Sequence, residues 1–416
     1  MNLHQPHRPA TADRPNRPRA RCLVACAVVV AVGLTACSSD DDDATTTTAA
    51  TTAATTTATE TATEAPAPTS APGTTGSPGT AEAPTTTAGP GGSVTLLAYD
   101  SFVTDGTSLG TALDAFTRAT GVEVNVVIGG DAGTMVSKAV LTAGNPEGDV
   151  MFGIDNTLLS RAIDADVFDP YESTQHDALA PALTELVPGN EVTPVDYGDV
   201  CLNYDIAWFT DHDLAPPTDL QDLTDPKYRD LLVTENPASS SPGLAFLLAS
   251  IAEFGSDGWQ QWWTDLRDNG VDVVDSWDDA YYNEFSGSSG KGPRPIVVSY
   301  GSSPPAEVIY ADPPRTDAPT AVVPATCFRQ VEFAGVLRGA EHPDAARLLV
   351  DFLASPSFQS EVALNLFVYP ARPDTSLPPE FTKYSVQPDH PLTVAPADIA
   401  AHREEWVDAW TEIVLR

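Results

Sequence analysis

Acidic and aromatic side chains follow three predicted strands near the start of the folded region. Tyr99 ends the first strand, Asp131 comes shortly after the second, and Asp155 directly follows the third. Phenol rings and carboxylates are the residue types that bind a cation, through the ring face and through charge-assisted hydrogen bonds. Asp155 could equally cap a helix that begins near Thr157, so its chemical role stays open at this point.

Two further segments carry residue types that suit a ligand. Ser241 and Pro242 open a predicted apolar helix, the serine as its cap and the proline in its first turn. The unpaired N–H groups of a first helical turn favour a phosphate or carboxylate, although a capped helix without a ligand has the same sequence. Trp277 precedes another predicted helix and is either a wall of a binding site or a core aromatic.

The predicted elements would place these residues at one edge of a sheet. Segments 94–99, 122–128 and 149–154 have strand patterns and alternate with helical segments. Such alternation predicts βαβ units and a parallel sheet, and ligands bind outside the carboxyl ends of parallel strands.

The amino-terminal region has the features of an export signal. Within the first 36 positions, five Arg residues precede an apolar run of 12 residues, 23–34. A spanning helix needs roughly 20 apolar residues, so this run predicts a signal peptide over 1–36. Leu34-Thr35-Ala36-Cys37 resembles the lipobox of bacterial lipoproteins, which implies lipidation of Cys37; an ordinary signal peptide is the alternative.

Residues 38–92 are predicted to be a disordered tether. From 44 to 92 only Thr, Ala, Pro, Gly, Ser and Glu occur, so no core can form there. A flexible coil of this length spans about 40 Å.

The net charge narrows the class of partner. The chain carries −37 formally at pH 7, with 21 Lys and Arg against 58 Asp and Glu. A nucleic-acid binder needs a basic surface, so this balance excludes that class. It also argues against docking on anionic lipid through charge, and it leaves a cationic ligand open.

A series of short motifs is similar to the thiamine-binding proteins of bacterial ABC importers. Segment 342–355 (HPDAARLLVDFLAS) is shared more widely among extracellular solute-binding proteins. The motifs that carry the resemblance occur in the family's order over all of 93–416: Tyr99-Asp100-Ser101-Phe102, Gly153-Ile154-Asp155-Asn156, Asp196-Tyr197-Gly198, Ser241-Pro242-Gly243-Leu244, Trp277, Ser299-Tyr300, Ser303-Pro304 and Tyr369-Pro370.

The resemblance implies an α/β, two-lobed type II periplasmic-binding-protein fold with hinge crossover strands. The first crossover is expected near 196–204 and the return near 327–337. Lobe 1 would comprise 93–195 plus 331–365, and lobe 2 would comprise 196–330 plus 366–416. Such a hinged protein closes around a ligand that binds the closed state more tightly.

The resemblance also assigns a ligand site for thiamine or a thiamine phosphate. One position departs from the family pattern, because Ala306 stands where the family has a Tyr; Tyr281 could supply that aromatic wall instead. The candidate ligand-binding residues are Tyr99, Asp131, Ala132, Asp155, Ser240, Ser241, Trp277, Tyr300, Gly301, Ser302, Ser303 and Pro304.

Partners and covalent features follow from the same resemblance. We expect a lipid-anchored binding protein on the extracytoplasmic face of the cell membrane, delivering its ligand to the transmembrane subunits of an ABC permease. No cofactor, no metal and no nucleic acid are expected. Cys201 and Cys327 are the cysteines left after Cys37 and the signal; both fall on the predicted crossover strands, and we expect them to form a disulfide.

Two other functions are alternatives to this one. An enzyme is disfavoured because the sequence contains neither a G-x-S-x-G nor an HExxH motif. Ferric iron or another small cation is the alternative ligand of the same fold, since Tyr281 and Tyr282 are adjacent and phenolates bind iron.

Overall fold

The computed structural model describes residues 91–288 and 291–416. The predicted signal (1–36), Cys37 and the tether up to residue 90 lie outside the described residues. Within the described part of the chain, no helix is both long enough and apolar enough to cross a membrane.

Helices and strands alternate along most of the chain. The strands are β1 (Gly92–Ala98), β2 (Val122–Ile128), β3 (Val150–Asp155), β4 (Thr193–Asp205), β5 (Leu232–Glu235), β6 (Asp272–Val274), β7 (Ile296–Tyr300), β8 (Thr320–Val336) and β9 (Tyr369–Pro370). The α-helices are α1 (Ser108–Thr120), α2 (Ala132–Leu141), α3 (Leu159–Asp164), α4 (Pro181–Thr184), α5 (Ile206–Asp211), α6 (Ser241–Asp268), α7 (Ala306–Ile309), α8 (Pro343–Leu353), α9 (Pro356–Asn365), α10 (Pro379–Tyr384) and α11 (Pro396–Val414).

The strands form one mixed sheet in the order β2-β1-β3-β8-β4-β7-β5-β6, and β9 pairs with β4. We call β2, β1 and β3 the first half-sheet and β7, β5 and β6 the second half-sheet; both are internally parallel. The long strands β4 and β8 run antiparallel to each other between them and are the crossover strands. The predicted parallel βαβ units are therefore confirmed, and both crossovers are longer than the sequence indicated.

The N-cap of α1 is Thr107, whose side chain accepts a hydrogen bond from the N–H of Gly110. The start of α6 differs from the sequence prediction by one residue. Ser240, not Ser241, occupies the N-cap position of α6. The sequence pattern fixes the apolar face of a helix more firmly than its first residue, because serine and threonine suit several positions at a helix start.

A disulfide joins the two crossover strands. Cys201 of β4 and Cys327 of β8 are bonded across 126 positions of sequence, and each residue is 1 % exposed. The pairing expected from the sequence is therefore present. The division of the chain into two lobes at the residues given above stays a prediction.

Candidate functional site

Three carboxylates occupy matching positions on three adjacent strands. Glu332 of β8 is the register partner of Asp155 on β3 and of Asp196 on β4. Residues paired in register project from the same face of a sheet, so the three side chains are neighbours. All three are buried. Like charges are thus concentrated where the first half-sheet meets the crossover strands.

Tyr99 packs over this carboxylate row from the end of β1. Its hydroxyl donates a hydrogen bond to Glu332 Oε2 at 3.2 Å. Gly153 makes this position possible, because a Cβ there would lie 2.2 Å from the Tyr99 ring, and the glycine also has a φ of +98°. The glycine of the Gly153-Ile154-Asp155-Asn156 motif therefore gives Tyr99 its place above β3.

Tyr300 approaches the same carboxylates from the second half-sheet. It ends β7, and Gly198 of β4 leaves room for its ring, since a Cβ there would lie 3.0 Å from the ring. Burial, and then the charge of Glu332, raise the pKa of Tyr300 well above its usual value. The phenol is consequently neutral and presents its ring and hydroxyl to the cluster.

Within 91–288 and 291–416, no basic side chain neutralises the cluster. Burial, and then the charge of Asp155, raise the pKa of Glu332 to about 7, although its hydrogen bond with Asp196 lowers it in part. Burial, and then the charge of Glu332, raise the pKa of Asp196 well above the usual carboxyl range. None of the ion pairs within 91–288 and 291–416 involves these two residues, Asp131 or Asp155. Buried charges are costly unless paired, so this part of the protein favours a cation.

Both carboxylate oxygens of Asp155 already accept hydrogen bonds from the protein. Its Oδ1 accepts hydrogen bonds from the backbone and hydroxyl of Thr157 and from the N–H of Leu158. Its Oδ2 accepts one from the side-chain amide of Gln330 at 2.5 Å. Asp155 therefore stabilises the turn before α3, but it does not cap that helix, whose N-cap is Leu158 without a side-chain hydrogen bond. It contributes charge to the cluster without a free oxygen directed at a ligand.

Asp131 connects the two half-sheets. It is the N-cap of α2, and its Oδ1 accepts from the N–H of Ala132 at 2.7 Å and of Ser241 at 3.3 Å. Its Oδ2 accepts from the N–H of Trp277 at 3.1 Å. Burial raises the pKa of Asp131 to about 6, which the hydrogen bond from Trp277 and the others only partly offset. Three backbone N–H groups and the nearby Ser240 hydroxyl therefore stabilise the charged form of this carboxylate.

Trp277 stands beside Asp131 with its indole held in a fixed orientation. Its Nε1–H donates to Ser299 Oγ at 3.0 Å, and its ring stacks on Tyr281 with centroids 4.9 Å apart. Tyr300 lies at 6.4 Å from it, with the rings inclined at 63°. The side chain is half-buried and packs against the core cluster that contains Tyr281. A role for Trp277 as a wall of the binding site stays a prediction.

The two serines at the start of α6 have different surroundings. Ser241 Oγ accepts a hydrogen bond from the Gln330 amide, and its N–H is directed at Asp131. Ser240 Oγ is buried and makes no ordinary hydrogen bond, although its hydroxyl is near enough to lower the pKa of Asp131. Ser240 is therefore the residue at this helix start with unused hydrogen-bonding capacity.

The loop after Tyr300 mostly bonds to the protein itself. The N–H of Gly301 donates a hydrogen bond to the carbonyl of Asp199, and the carbonyl of Gly301 accepts one from the N–H of Val386. Ser302 donates its hydroxyl to the carbonyl of Phe367 at 2.6 Å. Ser303 shares a hydrogen bond with the serine that holds Trp277 and accepts one from the N–H of Tyr300. Pro304 is buried behind this loop, and Ala306 begins α7. A ligand role for Gly301, Ser302, Ser303 and Pro304 stays a prediction.

Tyr281 and Tyr282 are not arranged as a pair of phenolate ligands. Tyr281 is 2 % exposed and Tyr282 is 44 % exposed, with their rings at 88° to each other. Burial raises the pKa of both phenols, which disfavours the phenolate form that binds iron. No group of three or more His, Cys, Asp and Glu in 91–288 and 291–416 is placed to hold a metal ion.

Glu332, Asp196 and Gln330 are not among the candidate residues expected from the sequence. The strand pattern nevertheless indicates two of them, because Gln330 and Glu332 are polar residues two positions apart in an otherwise apolar run. That spacing places both on one face of a strand, and polar groups on a buried strand need partners. Asp196 opens one of the motifs of the resemblance but was given no role.

Comparison with known proteins agrees with this architecture. A model of the bacterial extracellular solute-binding protein family matches residues 147–403. The thiamine-binding periplasmic protein of Escherichia coli (strain K12) is 28 % identical over 327 residues, which is 78 % of this chain and 94 % of that protein. A solved structure of a periplasmic thiamin binding protein superposes with a TM-score of 0.68 at 27 % identity, covering 78 % of this chain and 96 % of the other.

A more distant relative is named for iron uptake. Iron uptake protein A2 of Synechocystis sp. (strain ATCC 27184 / PCC 6803 / Kazusa) is 25 % identical over 283 residues, 66 % of this chain and 79 % of that protein. The structural neighbours of this chain are two-lobed periplasmic binding proteins, so the expected fold class is confirmed.

Proposed function

The chain belongs to the bacterial extracellular solute-binding protein family, and we propose from that premise that its solute is thiamine or a thiamine phosphate. The relatives named for thiamine match over most of this chain and most of their own length. The ligand would be captured between the two half-sheets and passed to an ABC permease. No chemical conversion of the ligand is part of this proposal.

One observation carries the choice of ligand: buried carboxylates that form no ion pair within 91–288 and 291–416 lie beside the residues Tyr99, Tyr300 and Trp277. Thiamine combines a flat aminopyrimidine with a permanently cationic thiazolium ring. A cation over an aromatic face gains about 0.5–2 kcal/mol. The acidic cluster supplies the balancing charge, and the Asp131 carboxylate would accept a hydrogen bond from the exocyclic amine.

Further acidic residues lie next to Tyr99 and Trp277 in the sequence. Asp100 follows β1, and Asp278 and Asp279 follow Trp277. Burial, and then the charge of Asp100, raise the pKa of Asp278 to about 6. Burial, and then the charge of Asp279, raise the pKa of Asp100. Acidic groups from both sides would raise the local concentration of a cation and would repel each other less once it is bound.

The hydroxyethyl or phosphate end is assigned to the start of α6, where Ser240 Oγ lacks an ordinary hydrogen-bond partner. Asp131 already accepts from the N–H of Ser241 there. A phosphate at this helix start would lie beside that carboxylate. We therefore expect the uncharged hydroxyl of thiamine to be accommodated better than a phosphate dianion.

Thermal-shift and calorimetric titrations test the ligand assignment. The panel is thiamine, thiamine monophosphate, thiamine diphosphate, ferric citrate and spermidine, with ligand retained after native purification identified by mass spectrometry. Stabilisation by thiamine and not by spermidine is expected, because spermidine carries charge without a flat ring. A response to ferric iron and none to any thiamine species would overturn the assignment in favour of the iron alternative.

Membrane attachment through Cys37 is a separate part of the proposal. The lipobox-like segment before Cys37 supports it, and the tether up to residue 90 would give the folded part reach from the membrane. Metabolic labelling with a fatty-acid analogue is expected to mark the wild-type protein and not Cys37→Ser. Equal labelling of both proteins would overturn the anchor and leave the ligand assignment intact.

A further inference from the structure

Glu332 and Asp196 face each other on adjacent crossover strands with too few donors between them. Glu332 is 7 % exposed and Asp196 is fully buried. Neither oxygen of Asp196 meets a hydrogen-bond donor in the described part of the chain. The hydroxyl of Tyr99 is the donor that reaches Glu332. Two carboxylates in contact can hydrogen-bond to each other only when one of them carries a proton.

We propose that Glu332 and Asp196 are the cation-selecting pair of this site, holding one proton between them in the empty protein and releasing it when a permanently cationic aromatic ring binds. The released proton leaves a carboxyl O–H bond and passes to the solvent, and nothing is oxidised or reduced. This inference rests on the proposed function, because it takes the thiazolium ring as the incoming cation.

Burial and the negative charges around the pair favour a retained proton, and the hydrogen bond from the Tyr99 hydroxyl, which lowers the pKa of Glu332, offsets them only in part. Tyr99 of β1 and Tyr300 of β7 are neutral phenols, since burial raises the pKa of each well above its usual value. The other titratable groups that face the pair are the carboxyls of Asp155 on β3 and Asp131 at the start of α2. The nearest basic side chain on β8, Arg329, is directed at Asp199 instead.

The arrangement predicts selectivity for a fixed positive charge. A cation that binds beside the pair takes the place of the released proton, so the net charge of the buried site is unchanged. The cationic ring in addition gains a contact with an aromatic face. An uncharged ring of the same shape leaves the proton in place and gains no ion pair. Because ligand entry expels a proton, the affinity for thiamine rises with pH across the range in which the empty pair still holds it.

The experiment is isothermal titration of the full chain with thiamine at pH 6, in two buffers that differ in ionisation enthalpy. At this pH ordinary carboxyl groups are ionised, so proton release reports groups with a raised pKa. Wild-type protein is expected to release about one proton per thiamine. Glu332→Gln, which resembles the protonated state, is expected to release far less and to bind about tenfold to a hundredfold more weakly. Asp196→Asn should behave in the same way.

A matched control uses the same chemical change at an exposed position. Glu185→Gln, directly after α4, removes a carboxylate that is exposed, and its proton release and affinity should equal those of the wild type. Thermal unfolding of each variant without ligand checks that the fold is intact. Because Asp131 is unchanged in Glu332→Gln, any proton that Asp131 releases is common to both proteins and cancels in the comparison.

The outcomes separate this inference from the proposed function. Thiamine binding without proton release in the wild type, or equal release by wild type and Glu332→Gln, overturns the pair and leaves the function standing. Absence of thiamine binding by the wild type overturns both. Proton release that disappears in Glu332→Gln and Asp196→Asn, and persists in Glu185→Gln, supports the pair.

Discussion

Replacing Gly153 by alanine tests how the backbone of β3 places Tyr99. A Cβ at Gly153 would lie 2.2 Å from one ring atom of Tyr99 and 2.6 Å from the next, far inside ordinary van der Waals contact. The three nearest atoms all belong to this tyrosine. The ring must therefore move away from β3 in Gly153→Ala, and its hydrogen bond to Glu332 would be lost.

The expected cost has two parts. An alanine at a φ of +98° is strained by about 1–2 kcal/mol. Displacing the tyrosine ring adds about 1–3 kcal/mol, the range found when a packed region is overfilled. Gly144 has a φ of +82° and nothing within 4 Å of its Cβ position, so Gly144→Ala carries the first part alone.

Urea unfolding and thiamine titration measure the two consequences. Gly153→Ala should lose more unfolding free energy than Gly144→Ala and should bind thiamine more weakly, whereas Gly144→Ala should bind as the wild type does. In a Tyr99→Ala background the extra loss at Gly153 should vanish, because the atoms that it displaces are gone. Equal losses for the two glycine variants, with unchanged thiamine binding, would refute the reasoning.

Three further predictions concern the walls, the hinge and the charge of the site. Trp277→Ala should weaken thiamine binding about 2–30-fold, the loss of one cation–π contact, while Trp208→Ala, another half-buried tryptophan, should not; equal effects contradict the assignment. Cys201→Ala/Cys327→Ala should lose about 4–5 kcal/mol of unfolding free energy for its 126-position span, and reductant should destabilise wild type but not the variant; an insensitive wild type contradicts this. Folding raises the pKa of Asp131 to about 6, so its contribution to stability falls as pH rises from about 4 to 6. Asp131→Asn should therefore show a shallower fall in urea-unfolding free energy over that range, and an unchanged slope would refute the shift.

The sequence was informative about elements whose signals are local. The predicted strand 122–128 coincides with β2, and the predicted strand 149–154 lies within one residue of β3 at each end, since each has a strong strand pattern. The start of helix α6 was expected within one residue of its observed position, yet its interruption at Gly255, with a φ of +69°, was not anticipated. A single glycine within an apolar helical pattern does not by itself predict a break.

The site was harder to predict because it depends on register between distant strands. Asp155 and Asp196 meet through Glu332, which lies well over a hundred positions later in the chain. Periodicity shows that Glu332 is a polar residue in a buried strand, but not which strands flank it. The resemblance identified Tyr99, Asp131 and the other aromatic residues as candidates. The central carboxyl pair could be recognised only from the order of the strands in the sheet.

The position of β8 has a consequence for how the chain can acquire its fold. The first half-sheet ends on β3, and β3 pairs with β8, which is completed only at Val336. A nascent or truncated chain that stops before residue 320 therefore leaves one edge of that half-sheet without its antiparallel neighbour. Amino-terminal fragments should accordingly expose an open strand edge and aggregate, and the first half of this protein cannot be produced as an autonomous unit by cutting the chain once.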